Sequence, residues 1–199
     1  MTTIDAPLVS APTFTRLAAD TRYVLGGFPL GLAATIVTVT GFSLGLGLAV
    51  VWIGVPILIA TMMMARGLAV TERARLGLAP ARDYRAGGSS VVSRLVAVLT
   101  DPQSWRDLVH AVFRFIPSTI AFSFVVTWWA GVLGGLSWAL WGWALPDDGM
   151  ELPELLGFGD GYLTIVVFYL VFAVGFAATL PTVTRWAARF EAGFARALL

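Results

Sequence analysis

The sequence has no cysteine, no lysine and a single histidine, His110. Without cysteine there is no disulfide scaffold, and with one histidine there is no cluster of zinc ligands. Without lysine there is no phosphate-cradling loop of the kind that ends in Gly-Lys. A serine nucleophile needs a base, and no serine motif accompanies His110. Charge is scarce as well: 13% of the 199 residues are charged and 58% are hydrophobic, against about 25% and 45–50% in a soluble domain. A soluble fold of this length would lack a polar skin, and a disordered chain would be far less apolar. The net charge of +1 is spread along the chain, so no basic face suits nucleic acid. What remains is an all-α, polytopic membrane protein with one compact domain.

Three uncharged runs carry that reading: Tyr23 to Ala65, Phe115 to Pro146 and Gly161 to Thr184. A membrane-crossing helix needs about 20 apolar residues. The first run therefore holds two spans (about 24–42 and 46–66), with a turn near Gly41, Ser43, Gly45 and Gly47. The others hold one span each, about 114–143 and 161–184. Residues 1–12 read as a disordered tail and 13–199 as a single membrane domain. The stretch Met1 to Asp20 has no apolar core or cleavage pattern, so span one itself serves as the insertion signal. Pro80 to Ser90 reads as a flexible linker.

All 13 basic residues are arginines. Arg16 and Arg22 precede span one, eight from Arg66 to Arg114 lie in or at the edges of the connection 67–113 between spans two and three, and Arg185, Arg189 and Arg196 follow span four. The connection 144–160 has none and carries Asp147, Asp148, Glu151, Glu154 and Asp160. The positive-inside rule then predicts cytoplasmic termini, a cytoplasmic loop 67–113 and an outer acidic loop 144–160. Trp138, Trp141, Trp143, Phe158 and Tyr162 flank that loop as an interfacial belt. Its carboxylates are either solvated or a contact for a cation or cationic peptide.

The two halves match in the same chain direction. Phe28-Pro29 pairs with Ile116-Pro117. Arg66-x-x-Ala69-x-x-Glu72 after span two pairs with Arg185-x-x-Ala188-x-x-Glu191 after span four. The offset grows from 88 to 119 residues, a difference the acidic loop absorbs. Two parallel-repeat hairpins are the expected architecture, with any shared site near the repeat interface.

Asp101-Pro102 looks like a helix N-cap followed by proline at the first helical position. Trp105, Leu108, Val109, Val112 and Phe113 then form an apolar stripe, with Arg106, Asp107, His110 and Arg114 on the other faces. This predicts either a helix lying at headgroup depth or one continuous with span three. Phe14 and Leu17 with Arg16, Asp20 and Arg22 form a weaker version before span one. Pro29 and Pro117 are candidate hinges, or static kinks satisfied by neighbouring hydroxyls. Gly27/Gly31, Gly41/Gly45 and Gly131/Gly135 are small-xxx-small pairs that permit close helix contact or a homodimer.

Several of these segments carry a family resemblance. They are Tyr23-Val-Leu-Gly-Gly-Phe-Pro-Leu-Gly31, the glycine-rich hairpin, Arg66-x-x-Ala69-x-x-Glu72-Arg73, and Asp101-Pro-Gln-Ser-Trp105-Arg106-Asp107. Together they resemble the "putative sensor" domain of actinobacteria, a four-span module at the N-terminus of many two-component histidine kinases. The resemblance implies perception of an envelope signal and its transfer to a cytoplasmic transmitter. No phosphoacceptor helix or nucleotide-binding domain follows in this sequence, which implies an excised domain or a stand-alone member acting through a partner.

The spans hold hydroxyls but no ionisable groups, which argues against ion-coupled transport. The expected function is therefore a non-enzymatic membrane sensor or adaptor, with no cofactor and no metal. The expected partners are the bilayer and a kinase, a regulator or an ABC transporter subunit. The alternatives are an accessory subunit of a transport complex such as an ABC exporter, and a lipid-binding pocket formed by the hairpins. Candidate relay or partner contacts are Arg66, Glu72, Arg73, Trp105, Arg106, Arg185 and Glu191. Candidate outer-loop contacts are Asp147, Asp148, Glu151 and Glu154.

Overall fold

In the computed structural model of the chain, residues 13–79, 90–145 and 151–199 are described. The expected tail 1–12 and all but the last residue of the 80–90 linker lie outside them. The described residues are mostly helical and contain no strand. Four helices among them are long and apolar enough to cross a membrane. Helix is what such runs must form, because in lipid every backbone N–H and C=O has to be paired within the segment.

Helix α1 covers Thr13–Gly47 and α2 covers Gly54–Arg75. Two short helices follow, α3 (Val91–Thr100) and α4 (Pro102–Phe113). Then come α5 (Phe115–Trp141), α6 (Leu152–Leu155) and α7 (Tyr162–Leu198). At 35 residues α1 extends about 52 Å, well beyond a hydrocarbon core of about 30 Å. The weak amphipathic stretch around Phe14 and Leu17 is thus the start of α1 and not a separate helix.

The first turn lies later than the glycines suggested. Helix α1 continues through Gly47, and the reversal is a 3-10 turn at Ala49–Val51 closed by Trp52 in the left-handed region (φ 64°). Gly54 donates to the Leu48 carbonyl at 3.0 Å, and a Cβ there would strike the backbone of Gly45 and Leu48. Gly41 and Gly45 stay inside α1 because their role is packing. Gly41 faces Thr61 and Gly45 faces Leu58, each closer than a Cβ would permit.

The end of α2 is fixed by a Schellman motif. Leu78 N–H donates to the Arg73 carbonyl at 2.9 Å and Gly77 N–H to Ala74 at 3.2 Å, with Gly77 at φ 64°. At the start of α4, Asp101 accepts from the Gln103 N–H at 2.9 Å and Pro102 occupies the first turn. Pro117 has no N–H for the Phe113 carbonyl, and the helix is interrupted at Arg114 between α4 and α5. Pro29, by contrast, sits exposed inside an unbroken α1.

The described residues fall into two compact units. One takes its residues from Met1–Arg22 and Ser123–Ala187, the other from Tyr23–Phe122 and Ala188–Leu199. In the first unit, α5 and α7 pack through small residues and aromatics. Gly131 lies against the Phe176 ring, and Gly135 against Ala173 and the Tyr169 carbonyl. Trp128 donates to Thr179 at 2.9 Å, and Trp129 to Thr21 at 3.2 Å. In the second unit, α2 packs on α4 and α3, with Ile59, Met62, Ala65, Ala69, Leu108 and Ala111 buried.

Candidate functional site

The second unit buries a cluster of charges. Glu72 on the last turns of α2, Arg114 at the α4–α5 break and Glu191 on α7 are each no more than 5% exposed. Arg114 Nη2 lies 2.9 Å from Glu72 Oε2 and 3.6 Å from Glu191 Oε1. Neither Nη2 nor Nε of Arg114 is aligned for a hydrogen bond within the described residues, so the attraction is chiefly coulombic. Burying charges this deeply is tolerable only when they are paired, and here one guanidinium serves two carboxylates.

The surroundings complete the pairing. Ser118 Oγ, one turn after Arg114, donates to Glu191 Oε1 at 2.6 Å. Arg75, on the same turn as Glu72, approaches Glu72 Oε2 at 3.5 Å and donates to the Tyr23 carbonyl at 3.2 Å. Its guanidinium also stands 4.9 Å from the centroid of the Tyr23 ring. The Tyr23 hydroxyl is 3.4 Å from Glu72 Oε1, a weak contact. The Glu191 carboxylate lies directly against Gly27, where any Cβ would collide with Oε1, and Gly31 faces Ser118. The pair Gly27/Gly31 thus opens α1 to the cluster.

Helix α4 divides its apolar stripe between two faces, with Leu108 buried and the rest turned outward or partly covered. Asp101, Ser104, Asp107, His110 and Arg114 are buried, whereas Trp105, Val109 and Phe113 are 44%, 41% and 48% exposed. The polar residues face inward because α2 supplies Glu72 to pair with Arg114, and Gln103 reaches Asp107 at 2.7 Å. Helix α4 runs on into α5 within one candidate membrane-crossing segment, Pro102–Ala144. Alongside α1, the Thr35 hydroxyl is shared between the carbonyls of Ala111 and Val112, both at 3.2 Å. Phe42 meets Trp105 edge-on with centroids 6.1 Å apart.

Of the candidate relay residues, the structure brings Glu72 and Glu191 together. Arg73, also near the end of α2, donates to the carbonyls of Ala79 (3.3 Å) and Leu199. Arg66 is partly buried on α2 and Arg106 is exposed on α4. Trp105 sits on the outer face of α4 with its indole N–H on the Leu99 carbonyl at 3.0 Å. Arg185 is partly buried on the α7 segment of the first unit. Glu151 and Glu154 flank and join α6, partly buried, while Asp147 and Asp148 lie outside the described residues. Pro117 is buried at the α4–α5 break, and Pro29 faces outward.

Sequence reasoning missed Arg114, Ser118 and Gly27 as members of the site. The signal was present for Arg114, which immediately precedes the uncharged run at Phe115 and shares a helix face with Ser118. Among the described residues no group of three or more His, Asp or Glu side chains is arranged to hold a metal ion.

The chain has no match among curated proteins or solved structures. A family model described as "Putative sensor" matches residues 23–199, a stretch that starts at Tyr23 and takes in Glu72, Arg114, Ser118 and Glu191. With four helices fit to cross a membrane and nearly its whole length matched, this multi-pass membrane protein belongs to that sensor family.

Proposed function

We propose that this protein is a non-enzymatic sensor or adaptor that relays an envelope or lipid-borne signal to a protein partner through the Glu72–Arg114–Glu191 cluster. The observation that carries this reading is the sharing of Arg114. The glutamates of the two matching Arg-x-x-Ala-x-x-Glu segments, on α2 and α7, both reach one guanidinium at the start of α5. A shift of α2 or α7 would change which carboxylate holds Arg114, and such buried ion pairs favour discrete arrangements over gradual ones. The arginine distribution supports cytoplasmic termini and a cytoplasmic end for α2, where a kinase, a response regulator or a transporter subunit would read the change.

The test is co-purification from native membranes in mild detergent after reversible crosslinking, with the wild type beside Arg114→Met. Recovery of a kinase or regulator with the wild type, and less of it with a folded Arg114→Met, is the expected result. Recovery of an ATPase and permease instead would favour the transport-subunit alternative. Recovery of the lone protein overturns both.

A further inference from the structure

Helix α4 presents an apolar face outward, and its position along α1 says what covers that face. The Thr35–Ala111/Val112 and Phe42–Trp105 contacts are seven residues apart on α1 and six or seven apart on α4. The two helices therefore run lengthwise side by side over about 10 Å. Both contacts fall within the uncharged run from Tyr23 to Ala65, and the reversal at Ala49–Val51 lies only about two turns beyond Phe42. Helix α4 thus accompanies the apolar length of the α1–α2 hairpin, although it belongs to the stretch 67–113 that the arginine distribution alone assigns to the cytoplasm.

At that depth the outer surface of α1 itself is apolar, with Ile36, Val37 and Val39 exposed. Trp105, Val109 and Phe113 continue it, and Ile116 and Ile120 extend it onto α5. The indole N–H of Trp105 is already bonded to the Leu99 carbonyl, so the ring offers only its apolar body. Ser104, Asp107 and His110 of α4 face the protein, as polar side chains do in helices surrounded by lipid. Arg106, in the first turns of α4, is the exposed exception.

We infer that the Trp105–Val109–Phe113 face of α4 lies at bilayer depth and is covered by lipid acyl chains. The inference rests on α1 and α2 crossing the membrane and is independent of the relay reading. The native chain has no cysteine, so single-cysteine variants label at one place only. Trp105→Cys, Val109→Cys and Phe113→Cys would each carry a nitroxide in vesicles of phosphatidylethanolamine and phosphatidylglycerol. Val39→Cys on α1 serves as the lipid reference and Ala79→Cys, beyond α2, as the reference outside the helices.

The expected result is high collision with oxygen and low collision with a water-soluble nickel complex at all three sites, as at Val39. All three positions point outward, so each variant keeps the α2–α4 packing, and two folded variants suffice. Nickel accessibility like that at Ala79 overturns the inference. So does poor access to both reagents, which would mean that a protein partner or a second copy covers the face.

Discussion

Glu72 and Glu191 are 119 residues apart in the chain and meet on one guanidinium, with Arg114 Nη2 at 2.9 Å from the first and 3.6 Å from the second. Removing Arg114 leaves two buried carboxylates without their common counter-ion. Arg114→Ala is therefore expected to cost about 3–5 kcal/mol, the range for breaking a buried pair. Thermal unfolding in detergent would read it as a large drop in Tm.

The same sharing predicts non-additivity. In an Arg114→Met, Glu72→Gln, Glu191→Gln triple variant, the buried charges disappear together. It should be more stable than Arg114→Met alone, because replacing a buried ionic set by neutral groups is far less costly than orphaning part of it. Urea or thermal unfolding of the series gives the coupling. Additivity within about 0.5 kcal/mol, the behaviour of independent sites, would contradict the shared pairing.

Two neighbouring glycines give a matched test of the approach of α7 to α1. Gly27→Ala would place a Cβ onto the Glu191 carboxylate, whereas Gly26 has open space around it. Overpacking of this kind costs about 1–3 kcal/mol. Gly26→Ala should be neutral or stabilising by up to about 1 kcal/mol through helix propensity. Comparison of the two Tm values checks it, and equal effects would argue against the contact.

Tyr23 separates a hydroxyl effect from a ring effect. Its hydroxyl is 3.4 Å from Glu72 while its ring carries the Arg75 guanidinium at 4.9 Å. Tyr23→Phe should change stability by less than about 0.5 kcal/mol, since a hydrogen bond that long is weak. Tyr23→Leu should cost about 0.5–1 kcal/mol more through the lost cation–π contact. Chemical denaturation of the two variants is the measurement, and a larger loss for Tyr23→Phe would reverse the assignment.

Asp101 caps α4, accepting from the Gln103 N–H at 2.9 Å. Asp101→Ala is expected to lose about 0.5–2 kcal/mol, the usual cost of removing an N-cap. Hydrogen exchange at the first amides of α4 should rise in step. Unchanged protection there would show that the cap is unimportant.

Much of this architecture is legible in the amino-acid order. The uncharged runs determine four apolar helices, because chain in lipid must satisfy its own backbone. Asp101-Pro102 determines where α4 starts, through a cap that is local in sequence. The two Arg-x-x-Ala-x-x-Glu segments single out Glu72 and Glu191. Other features are decided only by the fold. Gly41 and Gly45 suggest a turn by composition, but Thr61 and Leu58 pack on them and keep α1 helical until Gly47. Trp105, Val109 and Phe113 of the α4 stripe point outward while Leu108 is buried. The pattern would equally suit burial of the whole stripe, but Asp107, His110 and Arg114 take the inner face and α2 brings Glu72 to Arg114. The sequence determines which residues are scarce and costly to bury; the tertiary structure alone decides which of them meet, since a charge chooses its partner by distance and not by position in the chain.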